Sequence, residues 1–301
     1  MRTSDALFTF EGAGVLGEAE AIADGAEQKA EQLTRAARPW IERLARYGYA
    51  AKGVVYVLIG SLAALGAFHV GGNGPTDSRG ALTQIVRQPY GRVMLCVVAA
   101  GLAGYALWRV TQALRDTEDK GTSWKGLAVR TGYAFIGVVY AGLGFSAVRL
   151  VLGGDAGQGS DEQTKSWTAF ALTFPLGQLL VGLTGLGVIG FGLWQCYKAF
   201  TARFCRKWKR HEMHGHAHGL AMRVGQVGLV ARAVVFFIVG LFLIQAAWHA
   251  RAEEARGLSG ALRALEQQPY GPYVLGAVAL GLVAYGLYMF VEARYRRMII
   301  E

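Results

Sequence analysis

Two positively charged side chains, Lys52 and Arg232, stand inside apolar runs of membrane length, in "YGYAAKGVVYVLIGSLAALGAFH" (47–69) and in the run 226–249. A cation placed there has two uses. It lies about five residues, or roughly 7 Å of helical rise, past the start of its run, so a long stem can carry the charge back to the headgroup layer. Alternatively it faces the interior of a helix bundle and holds an anion or a lipid headgroup. Gly48 and Gly53 leave the surface beside Lys52 bare, which suits close packing and an inward position.

His69 and His249 sit at the far ends of the same two runs. A matched pair of imidazoles can ligate haem or a metal or relay protons, while an interfacial histidine bonded to water is the ordinary alternative. Two ligands are too few for most metals unless others converge. "HEMHGHAHG" (211–219) brings His211, His214, His216 and His218 into one loop. Such spacing binds zinc, nickel or copper weakly in flexible peptides, and otherwise makes a basic, pH-sensitive linker. In the adjoining "RFCRKWKRH" (203–211), cations interleave with Phe204 and Trp208. Arg206, Lys207, Trp208, Lys209 and Arg210 are candidates for contact with anionic headgroups. Cys96, Cys196 and Cys205 form no CxxC pair, so neither a disulfide framework nor a zinc site is expected. The chain carries no phosphate loop, no HExxH and no GxSxG, so no catalytic residue is assigned and no enzyme is expected. No cofactor is expected beyond a divalent metal at the histidine loop.

The elements that must position these residues are membrane-spanning helices. The chain of 301 residues is 53% hydrophobic and 17% charged, with mean hydropathy +0.28, 42 glycines and 6 prolines. That balance fits closely packed transmembrane helices. Apolar runs of about 20 residues fall at 47–69, 91–113, 131–152, 176–197, 226–249 and 272–291, and none contains Asp or Glu. With no acid in a span, proton coupling through carboxylates is not expected. The net charge of +10 lies beside these runs, pointing to a membrane surface rather than nucleic acid. Lys and Arg divide 21 to 8 between the two sides, which predicts both termini in the cytoplasm. The segment 1–40 lacks the form of a secretory signal and reads as a cytoplasmic or interfacial helix.

The runs repeat in pairs. "QPYGRVMLCVVAAGLAGYALWR" (88–109), "FPLGQLLVGLTGLGVIGFGLWQ" (174–195) and "QPYGPYVLGAVALGLVAYGLYM" (268–289) align without gaps, as do "GYAAKGVVYVLIG" (48–60), "GYAFIGVVYAGLG" (132–144) and "GLVARAVVFFIVG" (228–240). Lys52 thus aligns with Arg232, and Ile136 takes the middle place. The pattern predicts an all-α membrane protein of six transmembrane helices, arranged as three parallel-repeat hairpins in a pseudo-threefold bundle. Its parts are a segment 1–40, a first repeat 41–115, a second 126–200, a basic histidine-rich loop 201–222 and a third repeat 223–297. Pro89, Pro175 and Pro269 are expected in the first turn of each returning helix. Trp108, Trp194 and Tyr288 are expected near the headgroups at its end. Before the prolines, Leu82, Ile85 and Val86, and Leu262 and Leu265, fall at helical spacing and predict short outer amphipathic helices. The middle counterpart, "SWTAFALTFPLG", is more apolar.

"RYGYAAKGVVY" (46–56), "QPYG" and "GLAGYALWR" (101–109), with their repeats, resemble the bacterial membrane family called domain of unknown function 1206. The resemblance covers about residues 40–297. It implies a six-helix integral membrane protein and brings no activity with it. Three functions remain open: a non-enzymatic scaffold or accessory protein or a lipid-interacting one, with anionic lipids, a second copy of itself or another membrane protein as partners; a small anion channel or carrier using Lys52 and Arg232; and a haem- or metal-binding redox protein using His69 and His249.

Overall fold

The computed structural model describes residues 40, 42–68, 77–114, 121, 123–208, 213 and 215–296, the side chains at 206, 207, 215 and 216 excepted. The helix expected within 1–40, together with His69, Lys209, Arg210, His211 and His214, lies outside the described residues. The described residues from Leu44 to Arg296 belong to one compact unit. Among the described residues the long helices are α1 (Glu42–Ala67), α3 (Gly91–Leu114), α4 (Trp124–Val151), α6 (Gly177–Phe200), α7 (Gly215–Trp248) and α9 (Gly271–Tyr295). Short helices α2 (Ser78–Val86), α5 (Ser160–Leu172) and α8 (Leu258–Glu266) precede α3, α6 and α9, and no strand occurs among the described residues.

All six long helices are long and apolar enough to cross a membrane. Their outward faces carry Phe145, Leu179, Leu186 and Leu280, all more than half exposed, which only a lipid environment makes favourable over such lengths. The chain therefore reads as a multi-pass membrane protein. Most helices outrun the apolar runs that predict them. α1 begins by Glu42, so Lys52 lies about 15 Å of rise inside its helix rather than about 7 Å. α9 continues to Tyr295 and brings Glu292, 1% exposed, into a helix whose apolar run contains no acid.

Glycine sets how the helices meet. Where one repeat follows another, the same positions touch each time. Gly60 on α1 faces Ala279 and Val283 of α9; Gly144 on α4 faces Ala99 and Ala103 of α3; Gly240 on α7 faces Gly185 and Ile189 of α6. A second layer repeats the pattern with Gly53 against Gly286, Gly137 against Ala106, and Ala233 against Gly192. A third bond lies near the basic end. Arg46 donates to the carbonyl oxygens of Ala293 and Arg294, Arg130 to those of Ala113 and Leu114, and Gln226 to that of Ala199. Each side chain satisfies carbonyls that end a neighbouring helix and have no partner within it.

Within a repeat the packing differs. α1 lies on α3 through Gly48 against Tyr105 and Gly101 against Ala51, and α7 lies on α9 through Gly228 against Tyr285 and Gly281 against Ala231. The middle pair departs from this scheme. α4 and α6 are not close-packed on each other among the described residues; each packs on a helix of another repeat. Gly132 and Gly187, the counterparts of Gly48 and Gly101, have no atom within 4 Å of where a Cβ would stand. The sequences differ at the contact position. Ala51 and Ala231 lie against Gly101 and Gly281 in the outer repeats, whereas the middle repeat has the larger Phe135, 69% exposed, opposite Gly187 in register.

The short helices gather at the end that carries the proline turns. The carboxylate of Asp77 caps α2 through Gly80 N (2.8 Å) and also accepts from Ser160 N at the start of α5. Asp161 accepts from Gly257 N (2.7 Å) and Gly260 N (2.9 Å), tying α5 to α8. Leu82, Ile85, Leu262 and Leu265 are buried as their spacing predicts. The prolines are not in the helices. Pro89, Pro175 and Pro269 lie in a turn closed by the N–H of Gly91, Gly177 or Gly271 donating three residues back, at 2.7–2.9 Å, and each helix begins at that glycine. A Cβ on any of the three would collide with a carbonyl of the preceding short helix. Trp108 and Tyr288 also depart from expectation: α3 and α9 run past them, and both are buried rather than interfacial.

Candidate functional site

The inner faces of α1, α3, α4, α7 and α9 bring cations and tyrosines together. Lys52 is 3% exposed, so it does not reach back to a headgroup layer. Its Nζ stands 4.9, 5.0, 5.5 and 5.9 Å from the ring centres of Tyr105, Tyr140, Tyr285 and Tyr56 and donates to Tyr105 Oη at 3.1 Å. Arg232 shares two of those rings, Tyr285 at 4.9 Å and Tyr56 at 5.6 Å, adds Phe236 at 4.8 Å, and donates to Tyr285 Oη at 2.7 Å. The two aligned cations therefore meet the two aligned tyrosines in the same way, each across its own hairpin.

Arg109 completes the group. Its Nε and Nη2 donate to Tyr105 Oη at 2.9 and 2.6 Å, and its Nη1 donates to Gln112 Oε1 at 2.9 Å. Tyr105 Oη thus accepts from two cations at once. No carboxylate among the described residues bonds to Lys52, Arg109 or Arg232; their partners are hydroxyls, an amide and ring faces. Taking an ammonium out of water costs several kcal/mol. Ring faces return about 0.5–2 kcal/mol each, and a charge-assisted hydrogen bond about 1.5–3 kcal/mol. This shell makes the cations tolerable but leaves their mutual repulsion in place. Several polar atoms nearby are buried without a partner: Arg232 Nε, Tyr49 Oη and, on α6, both side-chain polar atoms of Gln195.

The middle repeat lacks both halves of the pair, with Ile136 for the cation and Phe191 for the tyrosine. Its helices still wall the cluster. Tyr140 of α4 is one of the rings around Lys52, and Phe191 of α6 packs edge-on against Phe236 (5.4 Å). Between these walls lies the open seam. Val55 and Val235 are buried in the closed hairpins, while their counterpart Val139 is 51% exposed; Trp108 is 2% exposed and Trp194 50%.

The other candidates are placed as follows. Trp208 is 1% exposed, so it is not presented to headgroups. Its Nε1 donates to Glu292 Oε1 (2.7 Å), and Glu292 also accepts from Tyr288 (3.0 Å) and pairs with Arg296 (2.6 Å). The stretch that ends at Trp208 bridges to Arg296 and so is fastened to the end of α9. The backbones of Arg206 and Lys207 form part of a 3-10 turn, Arg203–Lys207. His216 lies on α7, and the His218 ring meets Trp208 edge-on at 5.6 Å. His249 Nδ1 is 2.6 Å from Glu254 Oε2. No group of three metal-ligating side chains occurs among the described residues.

Sequence reasoning singled out Lys52 and Arg232 but missed Arg109, the tyrosines, Gln195 and Glu292. A signal was available for the tyrosines: Tyr105 and Tyr285 follow their cations by 53 residues in both outer repeats, and both partners change together in the middle one.

Comparison with known proteins supports the repeat. A relative from Bacillus subtilis (strain 168), described as the uncharacterized protein YxxB, is 40% identical over 278 residues, covering 92% of this chain and 98% of its own. No solved structure gives a significant match. The model of one family, Domain of Unknown Function (DUF1206), matches three times, at residues 47–116, 131–202 and 227–296. With that coverage, the chain belongs to the DUF1206 family, and carries its domain in triplicate.

Proposed function

We propose that this is a non-enzymatic membrane protein that binds an anionic group in the interior of its bundle, between Lys52, Arg109 and Arg232. The observation that carries the proposal is the meeting of three buried or half-buried cations with no bonded carboxylate, in a shell of tyrosine hydroxyls and rings. An anion placed among them would relieve like-charge repulsion in a medium of low dielectric and would accept from the unpartnered Arg232 Nε. Binding rather than passage is favoured by the fully buried Leu95 and Leu275, with Val181, which occupy the proline-turn ends of α3, α9 and α6. The protein sits in the bacterial cytoplasmic membrane with both termini inside, in keeping with the 21-to-8 division of Lys and Arg. On that side Arg206, Lys207, Lys209 and Arg210 add a second, peripheral contact with anionic lipid.

The test is a phosphate titration of the purified protein in uncharged detergent, followed by thermal unfolding. Wild type gains stability with phosphate, whereas K52M/R232M, which replaces buried charges by apolar side chains of similar length and is expected to fold, gains none. Equal stabilisation of both would overturn the proposal.

A further inference from the structure

The cluster is sealed on most sides. The α1–α3 and α7–α9 hairpins close over it, three equivalent repeat-to-repeat contacts hold the helices around it, and the short helices and the Arg203–Lys207 turn lie at the two ends. The side left unsealed is the seam between α4 and α6. Its flanks are apolar. Phe135, Val139 and Trp194 are all half-exposed or more, although their counterparts Ala51, Val55 and Trp108 in the first repeat are buried. Gly132 and Gly187 add two bare patches of backbone. Such a seam faces lipid chains rather than water. Immediately behind it stand Tyr140 and Phe191, each touching the shell of a cation. Buried Gln195, with neither side-chain polar atom partnered, is on the same stretch of α6, at the register where Arg109 stands on α3.

An apolar cleft in the bilayer that leads to uncompensated positive charge has the chemistry of one kind of ligand. We infer that the anion bound at this site is the headgroup of an anionic lipid, which enters sideways through the seam between α4 and α6 and leaves its acyl chains lying in that seam. The inference rests on the proposed anion site and adds the ligand's class and its route. Charge complementarity selects the head: a phosphate ester accepts from guanidinium and ammonium groups, and a zwitterionic lipid would bring a further cation to an already cationic cluster. The shape of the middle repeat selects the tail. Phe135 holds the hairpin apart, and the loss of the cation and tyrosine at Ile136 and Phe191 leaves the inner lining apolar where a chain would pass.

The experiment uses the full chain in bilayer discs of equal parts phosphatidylglycerol and phosphatidylcholine, released into native mass spectrometry, beside the phosphate titration above. Wild type is expected to retain phosphatidylglycerol in preference to phosphatidylcholine. G132W/G187W fills the seam at two positions where nothing lies within 4 Å, so the fold should accept it. It is expected to lower lipid retention by about tenfold while leaving phosphate stabilisation unchanged. K52M/R232M is expected to lose both signals. Lipid retention unchanged in G132W/G187W, or phosphate bound without any preference for the anionic lipid, would overturn the lateral route and leave the anion site standing. Retention and phosphate stabilisation both unchanged in K52M/R232M would overturn the two readings together.

Discussion

Gly48 and Gly132 are equivalent in the repeat and opposite in their surroundings, and one substitution separates them. A Cβ at Gly48 would stand 2.5 Å from Tyr105 N and 2.6 Å from its Cα and Cβ, where ordinary contact is 3.4–4 Å. Because the obstacle is backbone, α1 and α3 would have to part by about 1 Å, an overpacking that costs roughly 1–3 kcal/mol. The movement carries Tyr105 Oη away from Lys52 Nζ, now 3.1 Å distant, and weakens a charge-assisted bond worth about 1.5–3 kcal/mol. Against this, alanine gains about 1 kcal/mol over glycine as a helix former. Gly48→Ala should therefore destabilise by up to about 5 kcal/mol. Gly132→Ala meets nothing and should be neutral or stabilise by up to about 1 kcal/mol. Gly228→Ala, against Tyr285, should behave as Gly48→Ala does. Reversible unfolding in mixed micelles, followed by circular dichroism, measures all three. Equal losses at positions 48 and 132 would show that α4 and α6 close on each other in a membrane, and the reasoning about the seam would fail.

The size of one side chain also predicts the state of the middle hairpin: Phe135→Ala should let α4 and α6 approach, shortening the distance between spin labels placed on them. No change in that distance would remove Phe135 as the cause. Lys52→Met should raise the stability of the unliganded protein, because it removes a buried charge that has no carboxylate partner; a loss of stability would mean that the tyrosine shell outweighs desolvation. Glu292→Gln should cost about 3–5 kcal/mol, as expected when one partner of a buried ion pair is removed. The loss should be seen as faster hydrogen exchange in residues 201–208, which Trp208 fastens to α9. Arg130→Ala should cost about 1–3 kcal/mol by freeing the last carbonyls of α3, detectable as fraying at Ala113 and Leu114 in the same exchange measurement.

Particular residues show how far the sequence reaches. Apolar runs of membrane length, gapless repetition of "QPYG" and its relatives, and helical spacing at Leu82, Ile85, Leu262 and Leu265 determined six long helices, two of the three short ones and the family. These features are local: periodicity and length select a helix whatever it packs on. Lys52 and Arg232 were visible as anomalies for the same reason. Whether they point inward was not, because a helix of given sequence can turn either face to lipid. Only packing against Tyr105 and Tyr285 decided it. The reach of each helix past its apolar run, which buried Glu292 and Trp208, depended on partners from distant parts of the chain.

The middle repeat marks the boundary most clearly. By alignment alone its helix pair should close as the others do, since Gly132 and Gly187 are retained. The sequence did contain the decisive residue, Phe135 where Ala51 and Ala231 stand. Its meaning, however, is a distance between two backbones, and a glycine tells nothing of what lies opposite it until the opposing helix is in place. Repetition fixes what each unit can do in isolation. Steric fit between units decides which contacts are made, and so which pair of helices is left apart.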